Sequence, residues 1–165
     1  MTAGFDVALY QPDIAGNTGT ILRTAACLGF RVHVIEPAGF DLSDRNLKRA
    51  GMDYLELAAL TRHMDWGAFH SWRRREGRRL VLFTTRAERS YLAEPLRLGD
   101  VLLFGRESAG VPDPVHAAAD TRVTIPMQPG ARSLNLAVSV AMAAGEAMRQ
   151  IGSWNASPPS EGGAS

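Results

Sequence analysis

The sequence has little of what a disulfide-bonded, metal-dependent or membrane-spanning protein requires. Its 165 residues include one cysteine, Cys27, which excludes an internal disulfide and a cysteine-based zinc site and fits a reducing compartment. The four histidines are dispersed, so we assign none of them to catalysis. No window approaches the ~20 apolar residues of a membrane helix, and the first residues do not resemble a signal peptide. We therefore expect a cytoplasmic protein with neither a metal nor a membrane partner.

Charge and nucleotide-binding motifs are equally sparse. The net charge of +1 does not by itself indicate a nucleic-acid-binding protein. Neither GxGxxG nor GxxxxGK[ST] occurs, so no motif supports a Rossmann or P-loop site. Residues 71–79, SWRRREGRR, do contain five arginines. This basic run is either a track for RNA phosphates or a solvated helix face, and the sequence favours neither.

Short apolar segments alternate with segments of helical character along most of the chain. The pattern predicts strands at 5–10, 31–37, 79–85, 100–105 and 121–126, and helices at 17–30, 66–77 and 133–152. Asn17 is the expected N-cap of the first helix and Gly29 its stop. Uniformly apolar strands alternating with helices predict an α/β fold, a parallel sheet flanked by helices on both faces. We expect one domain over residues 1–152 and a disordered tail over 153–165.

Three junctions carry polar and glycine residues where ligands of open parallel sheets bind, beyond the carboxyl ends of strands. In the first, residues 11–23, Gly19 and Arg23 share a helix face, so a large group has room beside Arg23. The alternative is that Asn17 only caps the helix and Arg23 is solvated. The second, LLFGRESAGVP at 102–112, is a glycine loop without lysine that suits a flat ligand. Its Glu107 disfavours a phosphate, and a plain strand–helix connection is the alternative.

The third junction is IPMQPGARSLN at 125–135, which leads into the last helix. Ser133 is placed to cap a helix starting at Leu134, and capping does not exclude contact with a ligand. The helix then presents a face of small residues at 137, 141, 144 and 145, where another helix can approach closely. We interpret this face as rigid support for the loop and as a dimer contact.

Together and in this order, the three junctions resemble the motifs of the SPOUT superfamily of RNA methyltransferases. The segment NTGTILRTAACLGFRVHVIEP resembles the first motif, LLFGRESAGVP the second and IPMQPGARSLNLAVSVAMAAGEAMRQ the third. Within the superfamily the chain is most similar to the TrmL-type tRNA 2′-O-methyltransferases, and the similarity extends over residues 5–152. Two departures lie beside the first motif, because Gln11 and Ala15–Gly16 stand where close relatives often have Glu and Pro–Pro.

The resemblance implies a sheet whose C-terminal segment forms a trefoil knot, with S-adenosylmethionine (SAM) bound by the knot loops. It assigns the cofactor to Phe83, Gly105, Ile125, Ser133 and Leu134, and the catalytic roles to Arg23, Asn17, Ser133 and Asn135. Arg23 is almost always protonated, so holding the target phosphate and polarising the ribose hydroxyl suits it better than acting as a base. The implied partners are a tRNA anticodon stem-loop and a second copy of the chain.

The sequence leaves three functions open. The first is 2′-O-methylation of the wobble cytidine or uridine of the anticodon. The second keeps the fold and reaction but acts on another tRNA position or on ribosomal RNA. The third is a non-catalytic RNA-binding dimer, or a binder of small ligands, that uses the same glycine loops. The intact Arg23 and third motif argue against this last possibility.

Overall fold

The computed structural model describes residues 3–153, which form an open parallel sheet covered by helices. Within these residues the strands are β1 Asp6–Tyr10, β2 Arg31–Ile35, β3 Leu60–His63, β4 Leu80–Phe83, β5 Val101–Phe104 and β6 Thr121–Val123. The helices are α1 Ala15–Leu28, α2 Asp44–Arg49, α3 Tyr54–Ala58, α4 Trp66–Arg75, α5 Asp113–Ala118 and α6 Leu136–Ile151. The predicted α/β class and all five predicted strands are confirmed, while β3 and the short helices α2 and α3 were not predicted.

The strand order β3-β2-β1-β5-β4-β6 places β1 at the centre, paired in parallel with β2 and β5. In β1, side chains alternate between the two faces. Val7 and Leu9 join the core under α1 and α6, and Ala8 and Tyr10 join the core under α4 and α5. Both faces are covered, and that is why the inner strands β4 and β5 are apolar and buried on both sides. The trefoil knot that the resemblance implies stays a prediction.

The starts of α1 and α6 differ from the predicted starts. Helix α1 begins at Ala15 after Ile14, so Asn17 lies inside its first turn and does not cap it. Helix α6 begins at Leu136 and is capped by Asn135, whose side chain accepts a hydrogen bond from Val138 N, so the prediction of a Ser133 cap was wrong. Gly29 does end α1, with a left-handed φ of 84°. Of the predicted disordered tail, all but Ser153 lies outside the described residues.

Candidate active site

A cavity of about 410 Å³ opens at the carboxyl ends of β4, β5 and β6. Its walls come from the loops that follow these strands and from the start of α6. Every residue that the sequence assigned to the site, except Arg23, lines this cavity: Asn17, Phe83, Gly105, Ile125, Ser133, Leu134 and Asn135. Parallel strands end at the same sheet edge, so segments far apart in sequence meet there.

The glycine loop after β5 is closed on itself. Arg106 and Gly110 exchange backbone hydrogen bonds, N to O, of 3.1 and 2.9 Å. A Cβ built on Gly105 would lie 2.6 Å from the Cα and carbonyl carbon of Gly110, closer than any real contact. Gly105 is therefore required for packing within the loop. The tight loop gives the cavity a wall of backbone atoms.

A hydrogen-bond chain joins the three junctions. Asn135 Nδ2 donates to Asn17 Oδ1 at 3.0 Å, and Asn17 Nδ2 donates to Glu107 Oε1 at 3.4 Å. The other oxygen of Glu107 accepts from the backbone N of Asp13 at 3.1 Å. Asn17 is freed for this contact because it does not cap α1. Asn135 performs both roles, since its Oδ1 caps α6 while its Nδ2 holds Asn17.

Glu107 and Asp13 form an acidic pair beside the cavity. Burial, and then the contact with Asp13, raises the pKa of Glu107, while the Asn17 amide acts in the opposite direction. Hydrogen bonding with Glu107 and then with the Ser108 hydroxyl lowers the pKa of Asp13. The pair thus divides into one carboxyl that retains a proton more readily and one that releases it more readily. The sequence pattern marks Glu107 but assigns it no catalytic role, and Asp13 carries no sequence signal beyond its position after Pro12.

Arg23 lies on α1 outside the cavity, with 62% of its side chain exposed. Its Nε donates to Oε1 of Glu56, a buried residue of α3. This carboxylate raises the pKa of Arg23, so the guanidinium stays charged. The space that Gly19 was expected to leave for a ligand faces Met52, whose Cε would stand 3.4 Å from a Cβ at position 19.

Arg106 links the glycine loop to the loop after β1. Its Nη2 donates to Oε1 of Gln11, and its guanidinium lies 5.3 Å from the centre of the Tyr10 ring. Gln11 has a φ of 44°, a left-handed conformation that residues other than glycine seldom adopt. Gln11, one of the two departures from the family pattern, thus occupies a strained position held by Arg106.

The basic run 71–79 is largely internal to the fold. Arg73 is 8% exposed and donates to Asp120 and to the carbonyl oxygen of Ala118. Arg78 pairs with Asp6, and Arg79 forms ion pairs with Asp100 and Glu94.

Of the five arginines, Arg74 and Arg75 are the exposed ones. Arg78 and Arg79 precede β4, whereas the cavity lies beyond its other end, so the run borders the opposite edge of the sheet. The alternative of a solvated helix face therefore describes Arg74 and Arg75, whereas Arg73, Arg78 and Arg79 are paired within the fold.

The small-residue face of α6 divides between core and surface. Ala137 and Ala144 are buried in the core that α6 shares with α1, Gly145 is half-buried, and Ala141 is exposed. The prediction that these four residues form one dimer contact was therefore wrong for Ala137 and Ala144. The exposed apolar stripe consists of Leu134, Val138 and Met142, spaced four residues apart.

Two of the dispersed histidines meet in the core. His33 Nε2 lies 2.7 Å from Asp6 Oδ2, and His33 Nδ1 lies 2.8 Å from His63 Nε2. Burial, followed by the charge of His33, lowers the pKa of His63 to about 4. Burial would raise the pKa of Asp6, but the hydrogen bond with His33 and the charge of Arg78 lower it below its usual value. None of the residues of this network lines the cavity.

Residues 3–153 contain no group of three or more His, Cys, Asp or Glu side chains arranged to hold a metal ion. Among the helices of the same residues, none is long and apolar enough to cross a membrane.

A parallel sheet with a cavity of apolar and polar residues beyond three strand ends, walled in part by a glycine loop, is typical of an α/β ligand-binding protein of the enzyme type. Comparison with protein families is more specific. The chain belongs to the SpoU rRNA Methylase family, whose model matches residues 4–145.

Individual relatives agree with this assignment. The chain is 58% identical over 146 residues to a protein of Beijerinckia indica named tRNA (cytidine(34)-2′-O)-methyltransferase, covering 88% of this chain and 91% of the relative. A solved structure concerned with 2-OH methylation of C/U34 on tRNA is 46% identical, with a TM-score of 0.79 and coverage of 88% and 89%. An AdoMet-bound rRNA methyltransferase from Sinorhizobium meliloti is 29% identical with a TM-score of 0.78, over 88% of this chain and 56% of that one.

Proposed function

We propose that this chain is a SAM-dependent methyltransferase that modifies the ribose 2′-hydroxyl of nucleotide 34, a cytidine or uridine, in the tRNA anticodon loop. The observation that carries the proposal is the cavity at the carboxyl edge of the sheet, lined by side chains from all three junctions. The substrate follows from relatives at 58% and 42% identity that are named tRNA (cytidine(34)-2′-O)-methyltransferase. The proposed location is the cytoplasm.

The cavity suits SAM in size and in chemistry. Its volume of about 410 Å³ lies within the range of small-molecule sites. Phe83, Ile125 and Leu134 offer apolar contact to a flat adenine, and the glycine loop offers backbone donors and acceptors. The crowding at Gly105 indicates a wall that is formed before any ligand binds. When bound, SAM supplies an activated methyl group, so the chain itself needs to position the RNA and manage a proton.

Each proposed catalytic residue has a distinct task. Arg23, protonated and 62% exposed, holds the phosphate beside the target ribose and polarises its hydroxyl. Asn17 and Asn135, joined by their 3.0 Å hydrogen bond, orient the ribose at the mouth of the cavity, and Ser133 lines it. Glu107, with its raised pKa, stands next to Asn17 as a group able to exchange a proton with the site.

We further propose that the enzyme is a homodimer, with each RNA contacting both copies. The exposed stripe Leu134, Val138 and Met142 begins at the cavity wall and continues along α6. Apolar stripes of this kind are typical of helix–helix contacts. A second subunit on this stripe would lie beside the cavity mouth and extend the surface available to a tRNA arm.

The test is to incubate the protein with SAM and unmodified tRNA, and to map methylated nucleotides by mass spectrometry. We expect 2′-O-methylation at nucleotide 34, unaffected by a chelator. Methylation at another tRNA position, or of ribosomal RNA alone, would support the same reaction on a different substrate. SAM binding by calorimetry without any transfer would favour a non-catalytic binder. Loss of activity with the chelator, restored by a divalent ion, would contradict metal independence.

A further inference from the structure

Glu56 is the most deeply buried carboxylate beside the proposed RNA-binding residues. It lies in the first turn of α3 and is 1% exposed. Its two oxygens have different donors. Oε1 accepts from Nε of Arg23, and Oε2 accepts from the backbone N of Asp53 at 3.0 Å. A buried carboxylate is costly unless it is paired and hydrogen-bonded, and here both oxygens are engaged.

Capping α3 does not account for this arrangement. Asp53 and Glu56 form a capping box, in which the Glu56 side chain needs a single oxygen for the Asp53 backbone. Glutamine satisfies that requirement equally well, and capping boxes tolerate exposure. The second oxygen, the negative charge and the burial of Glu56 all serve the contact with Arg23.

The contact fixes one side of the Arg23 guanidinium and leaves the other available. Only Nε bonds to the protein, and within residues 3–153 the terminal nitrogens Nη1 and Nη2 make no hydrogen bond. These two nitrogens form the fork that binds phosphate oxygens. An exposed arginine otherwise samples many rotamers, and ordering it in advance lowers the entropy lost when RNA binds.

We propose that Glu56 is the positioning residue for Arg23, holding Nε so that the terminal nitrogens are aligned for the ribose–phosphate of the target nucleotide. This inference rests on the proposed function of Arg23. Glu56 does not touch RNA or cofactor, and acts only through the orientation of Arg23. The fold brings the two together because α3 packs on α1, with Met52 against Gly19 one turn from Arg23.

The test compares Glu56→Gln with Asp53→Asn, which changes the other half of the same capping box and removes a charge that acts on Arg23 more weakly than Glu56 and without a hydrogen bond. We expect Glu56→Gln to lower kcat/KM for methyl transfer about 10- to 100-fold, while the Kd for SAM stays within about twofold. Asp53→Asn should leave both constants near their wild-type values. Equal losses in the two variants would assign the effect to α3 stability and overturn the inference.

Combining Glu56→Gln with Arg23→Ala distinguishes a positioning role of Glu56 from a structural one. In an Arg23→Ala background, Glu56→Gln should cause no further loss of transfer, because the group that it orients is gone. The double variant should also melt higher than Arg23→Ala, whose buried carboxylate has lost its cationic partner. A further loss in the Arg23→Ala background would contradict positioning. If Arg23→Ala itself transfers methyl groups at the wild-type rate, the proposed role of Arg23 fails instead.

A measurement on the unmutated protein keeps the inference testable if Glu56→Gln does not fold. In the SAM-bound protein, the Nε–H proton of Arg23, assigned by its absence in Arg23→Lys, should exchange with water more slowly than those of Arg74 and Arg75. These two arginines are exposed and serve as internal references. Exchange of the Arg23 proton at their rate would show that Glu56 does not hold Nε and would overturn the proposal.

Discussion

At the scale of single residues, the site depends on side chains with two partners. Asn135 caps α6 and holds Asn17, Glu107 joins Asn17 to Asp13, and Glu56 joins Arg23 to Asp53. The predictions that Asn17 caps α1 and that Ser133 caps α6 were both wrong. Local sequence contains several side chains able to cap a helix start, and tertiary contacts decide which of them does so.

We predict that Gly105→Ala impairs SAM binding while Gly16→Ala does not. A methyl group at Gly105 would overlap the Gly110 backbone at 2.6 Å, whereas one at Gly16 meets nothing within 4 Å. Calorimetry should show a Kd for SAM raised at least about tenfold by the first change, equivalent to ~1.4 kcal/mol. Gly16 lies in α1, so its replacement by alanine should stabilise the helix by about 0.5–1 kcal/mol. Unchanged affinity in Gly105→Ala would show that the loop is not rigid.

We predict that His63 makes stability depend on pH in the acidic range. Its pKa is about 4 in the folded protein and about 6.5 in an unfolded chain, so between these values the unfolded chain binds more protons. The free energy of unfolding therefore falls as pH is lowered from 6.5 toward 4, by at most about 1.4 kcal/mol per pH unit from this residue. Urea denaturation at several pH values should give a shallower dependence for His63→Gln. Identical slopes in the two proteins would refute the assignment.

At the scale of elements, α4 shows how a charged segment becomes part of the core. Phe69 and Arg73 are one turn apart, and both are buried. Arg73 reaches past the end of its helix to Asp120 and to the Ala118 carbonyl oxygen at the end of α5. Its position on the apolar face of α4 can be predicted from the sequence, because it lies four residues after Phe69. That position is overlooked when the five arginines are treated as one basic run. The basic run therefore stabilises the amino-terminal edge of the sheet.

We predict that Arg73→Met and Arg74→Met differ sharply in stability. The first leaves Asp120 and a carbonyl oxygen without their charged donor, which should lower the free energy of unfolding by about 2–3 kcal/mol. The second changes an exposed side chain and should shift it by less than about 0.5 kcal/mol. Chemical denaturation of the two variants compares residues of identical type on one helix. Equal effects would contradict the internal role of Arg73.

At the scale of the whole molecule, the two sheet edges have separate tasks. The carboxyl edge holds the cavity and the hydrogen-bond chain, and the amino edge holds the arginine–carboxylate pairs around Arg73 and Arg79. Helix α6 joins the cavity to the molecular surface, since it begins at the cavity wall and exposes Val138 and Met142 farther along. Assembly and catalysis are thus expected to be linked through this helix.

We predict that Val138→Arg yields a monomer with little methyl transfer. Val138 is 49% exposed in the single chain, and a charge buried without a partner in a subunit contact is very costly. Leu98→Arg is the matched control, because Leu98 is 77% exposed but lies outside the α6 stripe, and this variant should remain dimeric and active. Light scattering at several concentrations measures the mass. A wild-type chain that is monomeric and fully active would refute the dimer.

The sequence by itself determined the α/β class, the positions of all described strands except β3, and the segments that form the cavity. These features depend on local apolar patterning and on the rule that parallel strands end at one edge. Only the tertiary structure decided that Asn135 caps α6, that Glu56 pairs with Arg23, and that Ala144 is buried while Ala141 is exposed. Each of these depends on contacts between residues far apart in the chain, or on which side of a helix faces the sheet. Contacts between residues far apart in the chain are not encoded in the spacing of neighbouring residues.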